Sequence, residues 1–255
     1  MNKNKIVIAA LMSALMMGCG DTPNSDESVN VASLSKPNFS AMTDVNEKKA
    51  AFFAYLMPSV EQENKRVTKE RDFLLKIKAE IDAGESLDNE EIDHARRLSK
   101  MYSVSFIGDG VTDAWLSHML LRVDVLPKEL VLSQAANESA WGTSRFATEG
   151  NNYFGQWCYR KGCGLVPLAR NEGSTHEVAV FESAYRSVNA YFMNVNRNSA
   201  YAELRELRAA QRRAGKLIEG TKLAEGLTRY SERGNAYVTE IQAMIKHNNK
   251  YWSQG

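Results

Sequence analysis

Helical periodicity governs this chain from about Val45 to His247, and one stretch, Asn151 to Ser183, departs from it. That stretch carries glycines, Pro167, two cysteines and the alternating run Glu177-Val178-Ala179-Val180-Phe181. Alternation at period two reads as a strand and the Gly and Pro punctuation as turns, so one or two small hairpins are predicted there. The predicted fold is mainly α with a small β lobe (α+β), the lobe being inserted before the later helices. Two lobes of unequal kind leave a cleft between them, which suits a polymer substrate.

The helical segments can be bounded from their breakers and caps. Phe52, Phe53, Tyr55 and Leu56 form one apolar patch. Pro58 is then expected to restart the chain, because proline fits a first helical turn but not an interior. A second, amphipathic segment with Val60, Val67, Phe73, Leu74, Ile77 and Ile81 is expected to pack on the domain that follows. Asp88 to Glu91 offers a capping box for a helix to about Met101, and Asp113 opens another through Arg122. Pro127 sits in the first turn of a helix carrying Leu130, Val131, Leu132, Ala135 and Ala136, expected to end near Trp141-Gly142. Ser183 caps a helix with Val188, Tyr191, Phe192 and Val195, and three further helical patterns cover Tyr201–Arg213, Lys222–Tyr230 and Asn235–His247.

The start of the chain is not fold. Two lysines precede an apolar run, Ile6 to Met17, that ends in Gly18-Cys19, the pattern of a secretory signal. Leu15-Met16-Met17-Gly18-Cys19 resembles the lipobox of bacterial lipoproteins, with Met16 where leucine is usual, so Cys19 is the expected lipidation site. Residues 1–18 are read as signal peptide, 19–44 as lipidated cysteine and flexible linker, 45–104 as an N-terminal helical region and 105–255 as the main domain. A lipid-anchored protein of the cell envelope follows, periplasmic, with Gly20 compatible with the outer membrane.

A formal net charge of +1, from 32 Lys+Arg against 31 Asp+Glu, argues against a nucleic-acid partner. Cys158 and Cys163 are the only cysteines after Cys19. In an oxidising compartment so close a pair reads as a local disulfide; zinc is the alternative, weakened because His176 stands alone. Four histidines show no metal-ligand spacing, and no metal or cofactor is expected.

Glu138 stands near the C-terminal end of an otherwise apolar helix. It is either a satisfied core residue or a tuned acid, since partial burial raises a carboxyl pKa and a proton donor to a glycosidic oxygen needs that rise. The segment Ala136-x-Glu138-Ser139-x-Trp141-Gly142-x-Ser144, followed by Gly150-Asn151-Asn152-Tyr153-Phe154-Gly155, resembles the glucosaminidase family of peptidoglycan hydrolases. Phe181-x-Ser183, Ser187-Val188, Tyr230-Ser231 and Tyr237 follow in the family's order, and the span Trp157-Cys158 to Cys163-Gly164 is most like its Bax-type members. The likeness runs from about Lys48 to the C-terminus. Two departures stand out: Arg186 precedes Ser187 where Glu is frequent, and Tyr230 is followed by Ser-Glu-Arg-Gly with one extra residue before Tyr237.

The resemblance implies a lysozyme-like, two-lobed catalytic domain over 105–255 with an N-terminal helical extension. It implies endo-β-N-acetylglucosaminidase activity on peptidoglycan strands by a monomer, with Glu138 as general acid. A second carboxylate would be Glu177, on a strand facing the cleft, then Glu182 or Glu172; a substrate acetamido group could replace it. Tyr230 is expected to orient a water or that acetamido group. Asn152, Tyr153, Phe154, Gln156 and Trp157 are expected to line the sugar groove, with Trp141 behind Glu138 and Gly142 and Gly155 serving backbone conformation. Tyr237, Tyr191 and Phe192 are read as core. A lytic transglycosylase and a non-catalytic wall-binding scaffold are the rival readings.

Overall fold

A computed structural model describes residues 35–106, 110–168 and 176–252. The expected signal peptide, Cys19 and Glu172 lie outside the described residues. The architecture is mainly α with a small antiparallel β lobe.

Helix α1 runs unbroken from Val45 to Asp82, with Pro58 inside it. The expected restart at Pro58 does not occur. An interior proline costs on the order of 3 kcal/mol, but here the apolar stripe continues across it: Phe52, Leu56, Val60, Val67, Leu74 and Ile77 are all fully buried. Packing along 38 residues, against the helices that follow, outweighs one lost hydrogen bond. The chain before α1 also packs. Phe39 is 2% exposed, edge-on to Phe52 and Tyr55, and Lys36 Nζ donates to Thr148 O (2.9 Å) and Asn151 Oδ1 (3.1 Å). The linker expected to be flexible to residue 44 is therefore docked from Lys36 onward.

Helix α2 (Asn89–Tyr102) starts at the expected capping box: Asp88 Oδ1 accepts from Glu91 N (2.9 Å) and Glu91 Oε2 from Asp88 N (2.9 Å). Helix α3 spans Asp113–Arg122. Helix α4 (Lys128–Glu138) is the centre of the molecule, buried at every position from Leu130 to Ala136. A short α5 (Arg145–Gly150) leads into the β lobe. Its strands are β1 (Trp157–Cys158), β2 (Gly164–Leu165) and β3 (Glu177–Ala179), with β3 in the middle. Glu177 pairs with Cys158 and Ala179 with Gly164. A side chain at Gly164 would run into Val178 O at 2.0 Å, so the register requires glycine there.

Helix α6 (Ala184–Arg197) begins at Ser183, whose Oγ accepts from Arg186 N (3.3 Å). Helix α7 covers Ala202–Arg213. The helix expected over Lys222–Tyr230 is instead a short α8 (Gly220–Leu223) and a 3-10 turn, Ala224–Leu227. Helix α9 (Asn235–His247) lies against α4. No helix among the described residues is long and apolar enough to cross a membrane.

Candidate active site

The end of α4 is built to present one side chain. The helix stops at Glu138, earlier than expected, and Ala140, Trp141 and Gly142 follow with φ of 48°, 57° and 77°. Three successive left-handed residues are costly for the two that are not glycine. Ser139 holds the reversal together: its Oγ donates to Ala135 O (2.6 Å) and accepts from Gly142 N (2.9 Å). At Gly142 a Cβ would lie 2.5 Å from the Phe39 ring, so glycine is needed for space as well as for φ.

Glu138 opens onto a cleft of about 940 Å³ between the helices and the β lobe. Its Oε1 accepts from the Tyr237 hydroxyl at 2.8 Å and, more weakly, from Asn137 Nδ2 at 3.4 Å. The Tyr237 oxygen accepts in turn from Gln134 Nε2 (3.0 Å), and Tyr191 donates to Gln134 Oε1. Because Gln134 already supplies a hydrogen to the phenol oxygen, the phenol's own hydrogen is left for Glu138. The chain of donors therefore runs in one direction, toward the carboxylate. Burial pushes the Glu138 carboxyl above the usual carboxylate range and nearby Glu240 adds to that, while the bonds from Tyr237 and Asn137 and the charge of Arg233 work against it. Glu138 has no ion pair among the described residues, and it is the only carboxylate among those lining the cleft.

The remaining candidate residues divide. Phe154 lines the cleft and stacks on Tyr191 (4.1 Å, 16°). Gln156 lines it while its amide donates to Ser187 O (3.0 Å). Trp157 is 56% exposed and stacks on His176 (4.1 Å, 15°), forming an open aromatic platform on the cleft wall. Asn152 and Tyr153 do not line the groove. The Asn152 amide donates to Gln156 O and Ala179 O (both 2.9 Å) and frames the loop from within, and Tyr153 packs against Phe52 and Tyr55 on the far side. Successive side chains of an extended segment diverge, so five neighbours could not all face one groove.

Glu177 is 6% exposed, and its carboxylate accepts from Gly162 N (3.0 Å) and Gly164 N (2.9 Å). It is turned into the β lobe, not toward the cleft, and it holds the bend between β1 and β2. Glu182 is exposed and outside the cleft lining. Tyr230 does line the cleft, stacked on Tyr237 (5.1 Å, 13°), but its hydroxyl donates to Phe154 O (3.0 Å). The phenol that meets Glu138 is Tyr237, which the sequence assigns to the core; at 2% exposure it is core, with only its oxygen at the site. Trp141 packs on Phe52 and Phe53 of α1, and the rings grouped around Glu138 are those of Tyr191, Tyr201, Tyr230 and Tyr237. Gly155 has φ of 63°, as its expected conformational role requires. Cys158 and Cys163 are joined in a disulfide, as the spacing of the pair led us to expect.

Residues 116–250 match the glucosaminidase family model, described as mannosyl-glycoprotein endo-beta-N-acetylglucosaminidase. The chain belongs to the glucosaminidase family. It is also 31% identical over 218 residues to Protein bax of Escherichia coli (strain K12), covering 86% of this chain and 76% of that protein, so it is a Bax-type member. No solved structure matches it. Membership supports a glycan-hydrolase-like function. Asn137 and Tyr237, which hydrogen-bond Glu138, lie inside the matched span. In this family member, however, the cleft also has walls outside it: Arg66 of α1 and Met101 of α2 both line the site. The sequence reading missed Gln134 and Tyr237 as site residues. A buried glutamine one turn before the candidate acid, on an otherwise apolar helix, is the signal that could have drawn attention to them.

Proposed function

We propose that this protein hydrolyses glycosidic bonds within peptidoglycan strands as an endo-β-N-acetylglucosaminidase, with Glu138 as general acid. The observation that carries this is a carboxyl raised by burial, free of any cationic partner among the described residues, and open to a groove with an aromatic platform. Protonated Glu138 gives its hydrogen to the bridging oxygen as the bond from that oxygen to the sugar C1 breaks. A water adds its oxygen to C1 and its released proton restores the acid, so the sum is one water consumed per bond. Tyr237 stabilises the carboxylate that donation leaves behind, which a neutral packing residue could not do. Trp157 offers a ring face to the apolar face of a sugar, while Gln156 supplies amide groups at the same wall. A lipid anchor at Cys19 and a periplasmic site would put this groove where peptidoglycan lies.

Purified protein incubated with labelled sacculi, beside Glu138→Gln, tests the reading. Loss of one general acid is expected to lower release by about 10²–10⁴-fold. Equal release by the two proteins would remove Glu138 from the chemistry. Reducing N-acetylglucosamine ends support the glucosaminidase assignment; anhydro-muramyl ends would make the enzyme a lytic transglycosylase, and retention without release would make it a binding scaffold.

A further inference from the structure

Some arginines of this protein pair with carboxylates, and others, the buried Arg208 among them, hold carbonyl oxygens instead. Arg66 is paired with Glu63 (2.5 Å) and Glu70, and Arg71 and Arg212 both reach Asp124 (3.4 and 2.7 Å). Arg122, Arg197 and Arg205 have no carboxylate partner among the described residues and hold only carbonyl oxygens. Arg122 donates to Tyr102 O (2.6 Å) and Ser103 O (3.2 Å), and Arg197 to Met101 O (3.2 Å). Arg205 donates to Val195 O and Asn198 O (both 2.7 Å). Its Nε is buried with no hydrogen-bond partner, in a side chain only 4% exposed.

The charges act in sequence, Arg197 on Arg122 and Arg122 on Arg205. Burial and then Arg122 push the Arg205 guanidinium down to about 10, opposed only by Glu206 on the exposed side of α7. Burial and then Arg197 lower Arg122. Keeping three cations together without a counter-charge works against folding, and a bound anion would relieve it. Of the three, Arg197 reaches the cleft, where it is exposed and lines the wall with Met101 and Asn198, while Arg122 and Arg205 lie behind that wall. Along α6, Arg197 is six residues beyond Tyr191, about 9 Å further on. Asn194 and Asn198 flank it in the lining, the Asn198 amide donating to Asn194 Oδ1 (3.3 Å) and the Asn194 amide to the Tyr201 hydroxyl (3.3 Å).

We propose that this end of the cleft, centred on Arg197 and backed by Arg122 and Arg205, is a carboxylate-binding site that takes the stem peptide of a neighbouring muramyl sugar. The inference rests on the peptidoglycan reading above and adds to it a preference for strands that carry peptides. A guanidinium suits this task because its fork matches a carboxylate in two hydrogen bonds. Asparagine amides beside it suit the peptide and acetamido groups of the same substrate. Arg197 lines the same cleft as Glu138 without bonding to it, so its effect should appear in binding more than in the chemical step.

The test compares glycan strands bearing stem peptides with strands stripped of them by an amidase. Wild-type kcat/KM is expected to favour peptide-bearing strands by about tenfold, the worth of one charge-assisted bond pair. Arg197→Gln should bring the ratio close to one through KM, and Arg197→Lys should restore part of it. Arg122 and Arg205 also tie main-chain carbonyls, which makes Arg197 the variant least exposed to a folding defect; equal melting temperatures check this. An unchanged ratio in Arg197→Gln, or a wild-type preference for stripped strands, overturns the site while leaving the hydrolase reading intact. Should the wild type cleave neither strand, the hydrolase reading fails instead. Retention of the two strands by Glu138→Gln then decides the site, and equal retention overturns it.

Discussion

Replacing Tyr237 by phenylalanine deletes one oxygen and keeps the ring, including its 5.1 Å stack on Tyr230. Two hydrogen bonds go with that oxygen: the one given to Glu138 Oε1 and the one taken from Gln134 Nε2, which is left buried without its acceptor. The Gln134 loss is the same at every pH, at about 1–3 kcal/mol. The Glu138 loss is not. Where the carboxyl is ionised the missing bond is charge-assisted and worth about 1.5–3 kcal/mol, and where it is protonated the bond is neutral and worth about 1 kcal/mol. The sign follows from the direction of the shift. Glu138 is raised by burial in the folded protein, so the stability it contributes is present while it is protonated and is lost as pH rises through its folded value. Removing the phenol raises it further, so the deficit of the variant must grow with pH.

The difference between pH 8 and pH 4 is therefore expected to be about 0.5–2 kcal/mol, or roughly 1–8 °C in Tm for a chain of this size. Thermal unfolding of wild type and Tyr237→Phe at the two pH values measures it. In parallel, the alkaline limb of kcat/KM on labelled sacculi should move to higher pH, because an acid whose anion has lost a donor keeps its proton longer. A Tm deficit equal at both pH values, or an alkaline limb that moves toward acid, would refute the coupling of Tyr237 to Glu138.

Three further substitutions separate structure from chemistry. Glu177→Gln should lower stability by about 1–3 kcal/mol, because one of two buried backbone donors loses its acceptor, while kcat stays within about threefold of wild type; a hundredfold fall in kcat at unchanged Tm would return Glu177 to the mechanism. Trp157→Ala should raise KM by roughly five- to tenfold with kcat held, from the loss of an exposed ring worth about 0.5–1.5 kcal/mol, and a kcat defect at constant KM would contradict its placement as a platform. Phe39→Ala should cost about 3–5 kcal/mol by opening a cavity beside Gly142; a negligible change in denaturant midpoint would mean that the segment before α1 is not part of the core.

How much of this was legible in the sequence depended on the range of the interactions involved. Caps are local, and both the Asp88–Glu91 box and the Ser183 cap stand where side-chain chemistry within four residues put them. Periodicity is local too, and it marked α3, α6 and α9 with little error. Pro58 was misjudged because the local rule is correct for an isolated helix. What keeps α1 continuous through it is burial against helices far along the chain, which no window around residue 58 contains.

The same reasoning explains the mixed result at the site. Glu138 stood out because a carboxylate in an apolar helix is at odds with its neighbourhood, and it was the family resemblance that favoured an acid over a satisfied core residue. Its partner did not, because Tyr237 sits 99 residues away and fits its helix without conflict. A residue that is core by every contact except one oxygen looks in sequence like any other core tyrosine. Glu177 failed in the opposite way: alternation placed it on a strand correctly, but the face it takes depends on the disulfide loop. Pairing with Cys158 sets Glu177 beneath the bend closed by Cys163, where two glycine N–H groups claim both oxygens. An acidic residue in the right segment is therefore weak support for a second catalytic carboxylate unless its competing backbone donors are known. That condition leaves Glu138, with a phenol and a weak amide as its hydrogen-bond partners and no ion pair among the described residues, as the carboxylate at the cleft on which the proposed proton transfer rests.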